Sequence, residues 1–551
     1  MNKTAMTKEE MKRELGSLIW RTATSLVHGG KVSPVQFMDY MLGALFYRFI
    51  SENISEYSDR LMKAAKVPDA DYTRMTDAEA EIGRVPLVKD KGFFILPSQL
   101  FINVANKARN NDDLNTTLRN NFIAIEQSAT GTDSEADVRG LFSSFDTNDA
   151  GLGTTVAERN ATLTTLLESV RDLNFTEYAA SGLDVFGICY EHLIKMYALN
   201  SGTKGGEFYT PAEVSRLLAF IAAAGRKTVN KVYDPACGSG SLLLNFNLVL
   251  GASNVIDGFY GQEINIKTYN LCRMNMFLHN LNYDHFDIRL GDTLKSPQHT
   301  LDEPFDAIVS NPPYSVPWDG DKDITLINDE RFSPAGVLAP RSKADFAFTM
   351  HMLSWLSTTG TAAIVEFPGV LFRGGAEKKI RSYLVANNYV DTVIQLPPNL
   401  FFGASISTCI LVLKKNKTDN RICFIDASAE FNHEGNKNVL GEDHIRHIYD
   451  VHREKREEQY YSRVVTIADV EAQEWNLSVS TYVEKADTTE PIDIGELNAT
   501  IAGIVERQAR LREEIDDIIA ELKVESKREQ NQACLSIDER RYDYPNEHRD
   551  E

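Results

Sequence analysis

Asp234-Pro235-Ala236-Cys237-Gly238-Ser239-Gly240 follows a short apolar run at 231–234 and leads into a helical stretch at 241–249. A strand, an acid, a glycine-rich turn and a helix make the opening of a nucleotide-binding α/β unit, in which small residues let the backbone approach a ligand closely. Leu243 stands where the third glycine of the dinucleotide fingerprint belongs, and the Lys-Ser/Thr pair of a phosphate-binding loop is missing. The turn therefore suits a ligand without phosphates, and adenosylmethionine fits. Asp234, Pro235, Ala236, Gly238, Ser239 and Gly240 are the candidate contacts.

Outward from this turn, short apolar runs at 231–234, 258–263, 288–290, 307–310, 361–366 and 390–396 alternate with helical stretches such as 266–279 and 346–356. The alternation predicts a mostly parallel sheet with helices on both faces. A further run at 409–413 follows closely on 390–396, which predicts an antiparallel edge strand. Glu263 ends the second strand, where a carboxylate can accept both ribose hydroxyl protons. Asp292 ends the third, within reach of the adenine edge of the same ligand.

Asn311-Pro312-Pro313-Tyr314 follows the strand at 307–310, at the carboxyl end of the sheet where such folds bind ligands. An exocyclic amine is a poor nucleophile because its lone pair is delocalised into the ring. Two acceptors on its two N–H protons, the Asn311 side-chain oxygen and the Pro312 carbonyl, draw that nitrogen toward a tetrahedral, nucleophilic form. The two prolines fix the backbone so that both oxygens converge. Tyr314 offers a face on which a base extruded from a duplex can stack.

Ahead of both motifs stands Gly206-Glu207-Phe208-Tyr209-Thr210-Pro211, leading into a helix from Ala212. Alone it reads as a helix start, with Thr210 as cap and Pro211 in the first turn. In context, Glu207 and the two aromatic residues cover the methionine portion of the donor. The segment 1–165 reads as a helical domain. Ser33, Pro34 and Gln36 form a capping signature, and Met38, Met41, Leu42, Leu45, Phe46 and Phe49 recur at helical spacing as core. The polar stretch 133–160 reads as a mobile or weakly held connection, 166–430 as the catalytic domain, and 316–343 as an ordered loop near its site. Residues 444–461 read as a solvated charged helix. Leu497, Ile501, Ile504, Leu511, Ile515, Ile518 and Leu522 form a heptad seam within 495–523, in the C-terminal region 431–551. A lone helix cannot bury such a seam, so it needs a partner; from Lys523 on the chain reads as frayed.

The six cysteines form no CxxC pair and have no histidine at ligand spacing, which argues against a disulfide framework or a structural metal and for a cytoplasmic setting. No apolar run spans a bilayer. The net charge of −21 conflicts with a protein that grips nucleic acid unaided, because phosphate neutralisation supplies most of that affinity. The acidic balance leaves two options: no nucleic acid, or a partner that does the gripping.

The motif order resembles that of the modification (methyltransferase) subunits of type I restriction–modification systems, which are N6-adenine DNA methyltransferases. The similarity extends to Lys204–Pro211, Asp234–Leu243, Leu371-Phe372-Arg373-Gly374, Leu396–Phe401 and Trp475-Asn476-Leu477, and it spans about residues 10 to 525. It implies an α/β, Rossmann-like methyltransferase sheet with an N-terminal all-helical domain and a C-terminal, coiled-coil-like helical extension. Glu207 to Ala212, Gly238 to Gly240 and Glu263 would contact adenosylmethionine, and Asn311 to Tyr314 would hold the flipped adenine of double-stranded DNA. Glu207 stands where many relatives carry glutamine. A specificity subunit flanked by two modification subunits would read the DNA, and a restriction (nuclease and translocase) subunit can join them. Such a partner resolves the charge conflict. Arg373, Lys378, Lys379 and Arg381 are then candidate phosphate contacts. The rival readings are an amino-methyltransferase of RNA or of protein glutamine, an N4-cytosine DNA methyltransferase, and a non-catalytic assembly subunit.

Overall fold

The apolar runs condense into β1 (Val229–Asp234), β2 (Val255–Glu263), β3 (Phe286–Leu290), β4 (Phe305–Ser310), β5 (Leu356–Glu366), β6 (Val390–Gln395), β7 (Cys409–Lys414) and β8 (Arg421–Asp426). A small hairpin, β9 (Asn432–Glu434) and β10 (Lys437–Val439), follows, and then β11 (Ser462–Thr466). Nine of these strands form one sheet in the order β11-β8-β6-β7-β5-β4-β1-β2-β3. Chain order runs outward from β1 through β2 to β3, then returns to the other side of β1 with β4. That reversal opens a crevice at the carboxyl ends of β1 and β4, where α/β sheets bind their ligands.

The computed structural model describes residues 6–27, 34–200, 210–401, 406–435, 437–485 and 494–538. The chain divides into two compact units, Met1–Lys485 and Ala486–Glu551. No helix among the described residues is long and apolar enough to cross a membrane.

β7 is antiparallel as expected, but it is not an edge. It lies between β5 and β6, bonded to both. Cys409 to Leu413 are all buried, an unbroken apolar run suited to a strand covered on both faces.

In the N-terminal half, the helix Pro34–Ala64 carries the expected core stripe; Met38, Met41, Leu42, Leu45, Phe46 and Phe49 are all buried. Pro34 is its first helical residue, while Ser33, read as its cap, lies outside the described residues. The stretch 133–160 is anchored by packing and hydrogen bonds rather than loosely held. Phe142 stacks on Phe122 at 4.2 Å, and Phe145 meets Tyr40 edge-on at 5.2 Å. The buried Arg273 guanidinium, on the helix Ile266–Leu278 beside the sheet, donates to the carbonyls of Ala136, Asp137 and Arg139. The polar composition of this stretch obscured the few large apolar residues that anchor it.

The stretch expected as a solvated helix at 444–461 differs too. The helix Glu442–Glu454 buries Ile445, Ile448, Val451 and His452, ends on a left-handed Lys455, and gives way to β11. In the second unit a single helix, Ile494–Asp538, carries Leu497, Ile501, Ile504, Leu511, Ile515, Ile518 and Leu522 as exposed side chains. It does not fray at Lys523 but continues to Asp538.

Candidate active site

The two motifs meet at the crevice. A cavity of about 660 Å³ is bounded by Pro235 and Ala236 after β1, Glu263 at the end of β2, Asp292 after β3, and Asn311 and Pro313 after β4. The remaining wall comes largely from the loop after Tyr314, through Val316, Pro317 and Trp318, as expected of an ordered loop beside the site. Residues with no signal in the motifs also contribute, among them Ile264, Asn265 and Phe348. Ile264 is an exposed apolar residue directly after an acidic strand end, a signal that could have marked it.

Each candidate has a distinct place. Glu263 accepts from the Gly238 amide at 3.1 Å and the Asn265 amide at 2.8 Å, so it braces the glycine turn while it borders the cavity. Burial raises its pKa, against the opposing pull of those amides. Asp292 accepts from the Leu294 and Lys295 amides. Asp234 is fully buried, one residue before the cavity wall at Pro235. Its Oδ1 accepts from the Ala236 amide at 3.0 Å and from the Ser310 hydroxyl at 2.8 Å, while its Oδ2 is buried without a partner. Burial pushes its pKa up to about 7, the two hydrogen bonds opposing and Glu263 adding repulsion.

Gly238 and Gly240 both take positive φ, 54° and 84°. A Cβ on Gly240 would sit 2.8 Å from Cys272 Sγ, so this glycine serves the close packing of turn against helix. Ser239 is buried, its hydroxyl 3.3 Å from that of Ser241.

Thr210 does not cap a helix. The cap position of the helix Ala212–Ala223 is Pro211, with no side-chain bond. The Thr210 hydroxyl instead accepts from Asn311 Nδ2 at 3.0 Å. Pro211 is buried and Ala212 is exposed; Glu207, Phe208 and Tyr209 lie outside the described residues. The Tyr314 hydroxyl donates to Asn311 Oδ1, Pro312 is buried, and burial holds the Tyr314 phenol well above its ordinary pKa. Ser315, next in the chain, has a left-handed φ of 52°, and both Asp345 oxygens accept from its amide at 3.1 and 3.2 Å. That clamp sets the exit from the Asn-Pro-Pro-Tyr turn.

The expected phosphate contacts fare unevenly. Arg381 is buried, donating to the carbonyls of Val370 and Trp475, so it ties the Leu371–Gly374 segment to the Trp475–Leu477 segment and faces no solvent. Leu477 completes this tie through its amide to the Leu371 carbonyl at 2.9 Å. Arg373 pairs with Glu377 and Lys378 with Glu474, while Lys379 is exposed.

The donor set at the cavity fits adenosylmethionine. Glu263 offers acceptors at the rim, Asp234, one residue before the wall at Pro235, holds an unsatisfied buried carboxylate oxygen, and apolar residues line much of the space. The family model for N-6 DNA methylases matches residues 181–491, and that for the HsdM N-terminal domain matches residues 15–170. The chain is 45% identical to the type I restriction enzyme MpnII methylase subunit of Mycoplasma pneumoniae, over 94% of this chain and 98% of that one. It is 32% identical to the MjaVII methylase subunit of Methanocaldococcus jannaschii, over 64% and 62%. A crystal structure of the type I restriction–modification methyltransferase subunit from Streptococcus thermophilus superposes with a TM-score of 0.77 at 32% identity, covering 86% of this chain and 100% of that one. With the fold, the cavity and both motifs in their expected order, the chain belongs to the type I restriction–modification methylase subunits, adenosylmethionine-dependent enzymes that methylate the N6 amine of adenine in DNA.

Proposed function

We propose that the cavity holds the methyl donor on its β1–β2–β3 side and a flipped adenine on its β4 side. The observation that carries this reading is the junction of Pro235, Glu263, Asp292 and Asn311 around one space. Glu263 takes the ribose hydroxyls and Asp292 the adenine edge of the donor. The unpartnered oxygen of Asp234 accepts from the donor's ammonium, and residues 207–212 with the Gly238–Gly240 turn surround its methionine end. When bound, adenosylmethionine supplies an electrophilic methyl group on its sulfonium.

The protein's part is then to prepare the nitrogen. Asn311 Oδ1 and the Pro312 carbonyl accept the two amine hydrogens, localising the lone pair on nitrogen as the ring releases it. Tyr314 presents its ring to the extruded base, and its hydroxyl shares Asn311 Oδ1 with the incoming amine. No side chain has to remove a proton before the methyl group arrives, since the methylated nitrogen is acidic and releases it afterwards. An oriented acceptor of this kind is worth on the order of 10² to 10³ in rate.

The acidic chain, at net −21, leaves the grip on duplex DNA to a specificity subunit. Two modification subunits flank one such partner, each offering its Ile494–Asp538 seam, and a restriction subunit joins that assembly. In this reading residues 1–165 serve as a helical domain, 166–430 as the catalytic domain and 431–551 as the partner-facing region, in the cytoplasm.

The test is transfer of labelled methyl groups to unmodified duplex DNA, with and without the co-purified specificity subunit, followed by nucleoside analysis. N6-methyladenine should form only with the partner present. N4-methylcytosine, equal labelling of RNA or protein, or full activity of the isolated chain overturns the reading.

A further inference from the structure

We infer that Thr210 is a positioning residue for the reaction: its hydroxyl anchors the NH2 end of the Asn311 carboxamide and so holds the side chain at the rotation from which its oxygen faces the target amine. This rests on the reading that Asn311 Oδ1 accepts from that amine.

A carboxamide has two ends of nearly equal size and opposite hydrogen-bonding character. Rotated by half a turn, Asn311 would present two N–H donors to an amine that itself donates, and the acceptor that shapes the lone pair would be lost. A hydroxyl can accept from the NH2 end or donate to the oxygen, so what a neighbouring hydroxyl fixes is the rotation of the carboxamide, and without it the oxygen swings out of line with the amine. Here the NH2 end donates to Thr210 Oγ1 at 3.0 Å. The oxygen end receives the Tyr314 hydroxyl. The Thr210 contact uses the nitrogen end and so takes no acceptor position on Oδ1 away from the amine.

Thr210 is mounted to do this. It is 8% exposed, and it precedes Pro211, whose ring fixes the backbone. The Pro211 carbonyl accepts from the Ser215 amide at 2.9 Å and is 3.2 Å from the Ser215 hydroxyl, so the residue after Thr210 is tied to the first turn of the helix Ala212–Ala223. Thr210 is not among the residues that line the cavity. Its hydroxyl thus acts on the amine through Asn311, a role separate from the cofactor contact that its motif implies.

The experiment uses the chain co-purified with its specificity subunit, unmodified plasmid DNA and saturating labelled adenosylmethionine. Thr210→Val keeps the side-chain shape and removes the hydroxyl; Thr210→Ser restores a hydroxyl; Thr210→Ala is a second deletion should valine disturb folding, which melting curves report. The expected result is a single-turnover rate lowered on the order of tenfold in the valine and alanine variants, the factor that one hydrogen bond of ordinary strength supplies. The loss should persist at saturating adenosylmethionine, and serine should recover most of the rate. Valine turning over at the parental rate overturns the inference. So does a rate loss that merely tracks weaker donor binding, or a serine variant as slow as valine. Asn311→Ala separates the two levels: normal turnover there sinks the base-side reading itself. An inactive Asn311→Ala beside an unimpaired Thr210→Val sinks only the role of Thr210.

Discussion

The Ser310 hydroxyl donates to Asp234 Oδ1 across 2.8 Å, joining the last residue of β4 to the last residue of β1. Asp234 opens the glycine turn and Ser310 is followed directly by Asn311, so the cofactor side and the base side share one buried hydrogen bond. Ser310→Ala should weaken both. The bond holds the Asp234 pKa down against burial, so its loss moves that pKa further above about 7 and leaves more of the carboxyl protonated. Calorimetric titration with adenosylhomocysteine at pH 7.5 should show weaker binding, recovering as the pH is raised. Unfolding should cost about 0.5–1.5 kcal/mol less, the net worth of one hydrogen bond, since Oδ1 keeps the Ala236 amide.

Gly240→Ala should destabilise the protein whatever its effect on the donor. The new Cβ would lie 2.8 Å from Cys272 Sγ and 2.9 Å from Met276 Cε, at a φ of 84° that side chains rarely adopt. Left-handed backbone and overpacking together predict a loss of roughly 2–4 kcal/mol. A melting curve no lower than that of the parent would contradict this account of the turn.

Glu366 ends β5 with its side chain fully buried, its Oε1 bonded to the Thr349 hydroxyl and its Oε2 without a partner. Burial, with repulsion from Asp345, pushes its pKa up to about 8. A carboxyl raised above its unfolded value of about 4.3 stabilises the fold at low pH and loses that contribution as pH rises through the folded value. The window here is therefore about pH 4 to 8. Glu366→Gln copies the protonated form. It should flatten the decline of melting temperature between pH 5 and pH 8, and a decline as steep as the parent's would remove Glu366 as its source. Asp391 runs the other way: burial opposes ionisation, but Lys414, His452 and Lys455 hold its pKa well below the usual carboxylate range. Its contribution is present above about pH 4 and is lost as pH falls further.

Ile504→Glu combined with Ile515→Glu should leave unfolding of the Met1–Lys485 unit unchanged, because both side chains are exposed on the helix of the other unit. The same pair should abolish co-purification with the specificity subunit. Retained co-purification would move the docking surface elsewhere.

Much of this was readable from residue order alone. β1 to β6 stand within a few residues of their expected bounds because each is an apolar run closed by an acid, a glycine or a proline. What escaped depended on contacts between distant residues. The Thr210–Asn311 bond joins positions 101 apart in the chain, and nothing local distinguishes a threonine that caps a helix from one that holds an amide. Arg381 looked like a surface cation because its helix is charged, yet its buried guanidinium meets two backbone carbonyls. The interior position of β7 follows from which strands it pairs with, and a run of five apolar residues does not encode that.

The helix Ile494–Asp538 holds 45 residues, and at 1.5 Å per residue it reaches roughly 67 Å. That equals the rise of about 20 base pairs of duplex. A companion gripping its far end would stand two helical turns of DNA away from one gripping its root, so this single element is long enough to act as a ruler.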